Sequence, residues 1–265
     1  MAAVSSPVPR RERLRRATLD EIKQTAHAQL AELGPAALSL RGVARAMGMA
    51  PSALYRYVDS REVLLAELTA DGFASLADAL EAAFTAGDPH DHLGRWLDVA
   101  RAHRHWALDH AVEYTLIFGT RVPEGGFVGT RVAAELQRSV TVLFRCMTEA
   151  IEAGLVDTGH VEAGLTPTMQ VRLRAWAGDH GVAIDPGGMA VCLAAWTQLH
   201  GFLSLESFGH LPPALEDPAD LFDRQMIDVF TQACRAIVPA SPPGADDPTR
   251  PDRTVGSGPA RMGGR

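Results

Sequence analysis

The stretch GVARAMGMAPSALYRYVDSREVLLAEL, from Gly42 to Leu68, sets Tyr55, Arg56 and Tyr57 side by side. Two phenols and a guanidinium are long side chains ending in hydrogen-bonding groups, which suits phosphate oxygens and base edges. No nucleophile–base pair, phosphate loop or cofactor fingerprint accompanies them, so neither an enzyme nor a cofactor is expected. His90, His92, His103, His105 and His110 invite a metal reading. On a helix, however, His103 and His105 point about 200° apart, and His103 and His110 lie about 10 Å apart, so no metal site is expected. Cys146, Cys192 and Cys234 each sit in an apolar helical pattern, as buried reduced thiols would in a reducing cytoplasm.

Those residues need a frame. The 265-residue chain has an ordinary globular composition, 46% apolar and 22% charged. No apolar run looks long enough for a bilayer, and no apolar core follows Arg10, Arg11, Arg13, Arg15 and Arg16 to make a secretory signal. Lys23 is the one lysine beside 24 arginines. The net charge of −7 is unevenly spread: residues 1–62 carry +4 and residues 63–265 carry −11. A basic head on an acidic body suggests that the head alone meets a polyanion.

Periodicity is helical throughout, which gives an all-α fold. Thr18 and Glu21 have capping-box spacing, and Leu19, Ile22, Ala26, Leu30 and Leu33 follow on one face until Gly34-Pro35. Ser39 can cap a second helix with Val43, Ala44 and Met47 inward, closed by Gly48. Pro51 suits the first position of a third, short helix whose buried side is Leu54 and Val58. Asp59 and Glu62 repeat the box and begin a long fourth helix to about Phe84. A glycine turn before a short third helix makes a helix-turn-helix head. Beyond it, helical spacing marks Leu93 to Phe118, Val132 to Ile151, Thr166 to Trp176, Met189 to Phe208 and Ala219 to Ile237, with a loop at Pro123–Gly126. The tail from Pro239 is too polar to order itself.

The segment LSLRGVARAMGMAPSALYRYVDSREVLLAEL resembles the N-terminal domain of the tetracycline-repressor (TetR) family of bacterial transcription regulators. The resemblance implies that Ser39 and Tyr55 hold phosphates and that Arg41 reaches a base edge or phosphate. It further implies that Ser52, Ala53 and Tyr57 face the major groove and that Arg61 takes the place of a phosphate-binding lysine. Two positions depart from the pattern. Ala50 lacks the usual capping hydroxyl, worth about 1 kcal/mol, and Gly42 costs about as much in helix propensity. WTQLHGFLSLESFGHL, with Trp196, His200 and Gly201, and more weakly HAVEYTLIFG, resemble a C-terminal domain type of the same family.

That second resemblance implies an all-helical body that binds a small effector and dimerises through its last two long helices. Trp96, His103, Trp106, Tyr114, Met147 and Trp196 are the candidate effector contacts, although each could equally pack the core. The chain thus divides into a flexible basic arm (1–13), the DNA-binding head (14–62), the effector-binding and dimerisation body (63–238) and a disordered tail (239–265). The expected protein is a cytoplasmic homodimeric repressor, released from a palindromic double-stranded operator by a small apolar effector, with no membrane partner. A DNA-binding scaffold whose body recognises a protein partner is the alternative.

Overall fold

The computed structural model describes residues 9–119, 130–179 and 182–235. Among these residues every regular element is a helix. The Pro123–Gly126 loop, the tail from Pro239 and the first eight residues of the arm lie outside the described residues.

α1 (Arg10–Leu33) begins eight residues before Thr18. Arginine and leucine are good helix formers, and their propensity carries the helix back through the arm as far as Pro9. Thr18 therefore sits in a helix interior, where its hydroxyl donates to the Leu14 carbonyl at 3.0 Å. The Thr18–Glu21 box does not form, and residues 10–13 of the expected flexible arm are helical. Gly34 ends α1 at φ 75°, a backbone that favours glycine. After a 3-10 turn, α2 (Leu40–Ala46) is capped by Ser39 as expected. Gly48, at φ 65°, turns the chain into α3 (Pro51–Leu54), a single helical turn. α4 (Arg61–Ala86) is capped by the Ser60 hydroxyl, which accepts the Val63 N–H at 3.2 Å; Asp59 is not the cap.

Ile22, Leu30, Leu40, Val43, Leu54, Val58, Leu64 and Leu68 close into the head's own core. The second half of α4 leaves it and enters the body, where Phe73, Leu76, Leu80 and Phe84 are buried. The body adds α5 (His92–Asp109), α6 (Ala111–Phe118), α7 (Arg131–Glu152), α8 (Thr158–Ala163), α9 (Pro167–Asp179), α10 (Pro186–Ser207) and α11 (Ala219–Arg235). Helical spacing from Leu93 to Phe118 is thus broken at His110, and the short α8 has no counterpart in the sequence reading. Contrary to expectation, α10 is long and apolar enough to span a bilayer by length and composition alone. Here it is the central core helix, with Met189, Cys192, Ala195, Leu199 and Phe202 buried. Burial pushes the Cys146 and Cys192 thiols up to about 12, so neither is nucleophilic near neutrality.

One residue joins the two cores. Leu116 belongs to α6 in the body, yet it is 6% exposed and buried within the head's cluster, with Val112 packed beside it. Its neighbours Tyr114 and Ile117 face the body core. We expect Leu116→Ala to lower stability by about 2–4 kcal/mol in urea unfolding. It should also speed hydrogen exchange at the Leu54 and Val58 amides; unchanged exchange there would mean that α6 does not support the head.

Candidate nucleic-acid interface

The sequence-predicted contacts fall into exposed groups and fastened ones. Arg41, Ser52 and Tyr55 are exposed, Tyr55 by 47%, while Ala53 and Tyr57 are half-buried. Ser39 is exposed, and its oxygen accepts the Gly42 N–H at 3.1 Å, which leaves a hydroxyl proton to donate outward. A Cβ on Gly42 would lie 2.9 Å from both that oxygen and the Gln29 amide nitrogen, so close packing of α1, as well as propensity, bears on this residue. Tyr57 packs against the head core beneath the Arg15 guanidinium, 5.6 Å from its ring centre. Arg15 also donates to the Arg56 carbonyl at 3.3 Å. The end of the recognition segment is therefore pinned to α1.

Arg61 is placed differently from the expected phosphate contact. Its Nε donates to the Leu38 carbonyl at 2.9 Å and its Nη2 to the Pro35 carbonyl at 2.6 Å. The guanidinium braces the turn that presents Ser39, a fork geometry that lysine could not reproduce.

At the junction of head and body, α1, α4 and α6 enclose an open groove of about 540 Å³ lined by Lys23, His27, Asp71, Ser75, His110 and Glu113, among others. Lys23 Nζ lies 2.8 Å from Asp71 and 3.2 Å from Glu67. Arg131 of α7 meets the same two carboxylates at 2.7 and 3.1 Å. His27 of the head is 2.7 Å from Glu113 of α6.

Deeper in the body, three of the six candidate effector contacts converge. His103, Tyr114 and Trp196 surround Phe118 and His200. The Phe118 ring centre lies 6.3 Å from His103, 5.0 Å from Tyr114 and 4.6 Å from His200, and Trp196 stacks on His200 at 5.5 Å. The Tyr114 hydroxyl meets Ser204 Oγ at 3.0 Å, and Ser204 meets His200 Nε2 at 3.4 Å. His103 is 1% exposed, and neither ring nitrogen has a hydrogen-bond partner; His200 Nδ1 has none either. Burial, together with the adjacent His200, lowers the His103 pKa to about 3, and burial pushes the Tyr114 phenol up to about 12. Both groups are neutral near pH 7.

The other three candidates have separate tasks. Trp96 is fully buried and donates its indole N–H to the Met226 carbonyl at 2.9 Å, tying α5 to α11. Met147 is core packing. Trp106 donates to Ser75 Oγ at 3.0 Å and stacks on His110, behind the junction groove.

Residues 22–68 match the family described as bacterial regulatory proteins of the tetR family, and residues 96–230 match the tetracyclin repressor-like C-terminal domain. The chain belongs to the TetR family. It is a DNA-binding transcriptional regulator with a helix-turn-helix head. It is 34% identical over 215 residues to the HTH-type transcriptional regulator Rv1816 of Mycobacterium tuberculosis, covering 77% of this chain and 87% of that one. Among solved structures it is similar to the regulatory protein SCO4313, with TM-score 0.65, 33% identity and coverage of 84% and 98%. The TetR-family regulator PfmR from Thermus thermophilus shares the fold, with TM-score 0.51 at 18% identity over 80% of this chain and 97% of that one.

In this TetR-family chain, sequence reasoning missed Arg15 and Phe118 and did not count His200 among the candidate effector contacts. The arginine run at 10–16 was a usable sign of the first. Nothing in the sequence joins Phe118 to His103. Because His103 is held neutral when folded but binds a proton when unfolded, folding stability should fall as pH drops below about 6.5 and continue to fall towards about 3. The slope attributable to His103 is at most about 1.4 kcal/mol per pH unit. Urea unfolding of wild type and His103→Phe across pH 4–8 measures it: the variant should lose that part of the slope.

Proposed function

We propose that the chain is a homodimeric repressor that a small, largely apolar effector releases from a palindromic operator. The observation that carries this reading is the unpartnered His103 inside the aromatic cluster. A buried imidazole with no partner is unfavourable, and a ligand hydroxyl or carbonyl among Phe118, Tyr114 and Trp196 would partner one of its two ring nitrogens. His103 is neutral near pH 7, and burial lowers the His200 pKa as well, which fits an uncharged ligand better than an anion.

The route to the DNA runs through α6 as well as α4. α4 runs continuously from head to body, and α6 carries Tyr114 on the effector side and Leu116 and Glu113 on the head side. A shift of α6 would act on the head core and on the His27–Glu113 contact together. A coupling of about 1–3 kcal/mol corresponds to a 5–150-fold change in operator affinity. Ser39, Arg41, Ser52, Ala53, Tyr55 and Tyr57 would form the operator contacts, with Arg61 as their brace.

The alternative, a scaffold for a protein partner, draws on α9, where Met169 and Val171 are exposed at 41% and 63%. The discriminating experiment selects bound duplexes from random DNA, screens uncharged apolar compounds by thermal shift, and titrates each hit against the selected operator. Stabilising compounds should weaken operator binding 5–150-fold, and His103→Phe should abolish that response while sparing ligand-free affinity. Tyr55→Ala should weaken operator binding without unfolding the head. If every stabilising compound leaves operator affinity unchanged, effector release is wrong and the scaffold gains.

Dimerisation would use the outer faces of α10 and α11. Leu199 and Met226 are both fully buried in the protomer core, so charges there would unfold the chain rather than split a dimer. The outward positions are Ala194, Thr197, Gln198, Gly201 and Leu205 on α10, with Leu221 on α11. Leu205→Asp with Leu221→Asp should yield folded monomers in sedimentation, with operator affinity at least ten-fold weaker. A wild-type chain that sediments as a monomer at micromolar concentration would sink this.

A further inference from the structure

The first seven residues of α1, RRERLRR, hold five arginines and one glutamate, and all seven are exposed. Between them and the recognition segment runs an open groove of about 670 Å³ lined by Arg10, Arg11, Leu14, Arg15, Arg56 and Tyr57. Among the described residues no acidic side chain lines it.

Helix propensity and Glu12 in the first turn favour this segment, but its arginine charges oppose one another. Arg11 and Arg15 are four residues apart, and Arg10 and Arg13 are three apart, spacings at which like charges on a helix repel. Arg10 and Arg11 also stand at the positive end of the helix dipole, and that end has no side-chain cap. A polyanion reverses each of these terms at once. Arg15 is meanwhile held by the Tyr57 ring and the Arg56 carbonyl, so the groove is continuous with the recognition segment. Leu14, 58% exposed, lies among the arginines. Cationic heads around an apolar strip complement a sugar–phosphate backbone, whose charged phosphates alternate with apolar sugar edges.

We infer that residues 10–16 form a second nucleic-acid contact, a helical clamp on the duplex backbone beside the recognition segment. The inference rests on the operator-binding reading. Arg10 lies five residues before Arg15, about 7.5 Å along the helix, which is about two phosphate steps of one strand. The clamp contacts phosphates, so it adds affinity for every sequence alike and reads no bases.

The test uses the full chain, the tightest duplex recovered from random sequence, and a scrambled duplex of equal length. Binding is measured from 0.05 to 0.3 M salt for wild type, R10A/R11A and R10K/R11K, with circular dichroism to verify equal helix content. For R10A/R11A, which removes two arginines from each protomer of the proposed dimer, the slope of log affinity against log salt should fall by about 3.6, at about 0.9 per phosphate. Affinity should fall at least about ten-fold at 0.15 M salt on both duplexes, because the lost contacts are electrostatic. R10K/R11K should keep the wild-type slope, because a phosphate contact requires only charge. An unchanged slope in R10A/R11A, or a loss confined to the selected duplex, overturns the clamp and leaves the operator reading standing. Failure of the wild type to retain any duplex at 0.05 M salt overturns both.

Discussion

A single helical turn cannot hold itself together in water, and α3 is a single turn. The display of Tyr55 and Tyr57 depends on Leu54 and Val58, fully or almost fully buried beneath them. That seal is made by three other helices of the head and by α6 of the body, through Leu116 with Val112 beside it. The recognition surface is thus a product of tertiary packing. Its upkeep extends to Arg15, which clasps Tyr57 from one side, and to Arg61, which holds the turn ahead of Ser39 from the other.

The same dependence is what would let head and body communicate under the proposed effector release. Two separately packed cores would move past each other with little consequence. Here α6 contributes to both, and protein interiors are close-packed solids that transmit displacement. The carboxylates of Glu67 and Asp71, shared between Lys23 of α1 and Arg131 of α7, fasten α4 at the level where the cores meet. These exposed pairs contribute little to stability one by one, but they fix the register of α1, α4 and α7 around one point.

Much of the fold was legible because apolar stripes at helical spacing leave few alternatives. Val132, Leu143 and Met147 set α7, and Ser39, Gly48 and Pro51 set the turn of the head. What the sequence hid had identifiable causes. Arginine-rich propensity overrode the Thr18 cap, and Asp59 and Ser60 are adjacent residues that can both cap. Periodicity reports that Leu199 and Met226 are buried, without saying whether the cover is their own protomer or a partner. Arg61 was legible as a cation, but its carbonyl partners at Pro35 and Leu38 exist only after folding. The aromatic cluster was half legible: His103, Tyr114 and Trp196 are conspicuous by type, whereas Trp96 and Met147 differ from them only in their neighbours. Phe118 gains its place from the contact between α5, α6 and α10.

Lys23 has a practical significance unrelated to its ion pairs. It carries the chain's one ε-amine, and that amine sits where α1 of the head lies against α4. Amine-directed chemistry, which scatters over many sites on most proteins, would here reach one side chain besides the amino terminus. An environment-sensitive dye attached at that position would respond to its distance from Asp71. Composition has thus given this regulator a built-in attachment point where α1 meets α4, through which the proposed movement of head against body could be followed in solution.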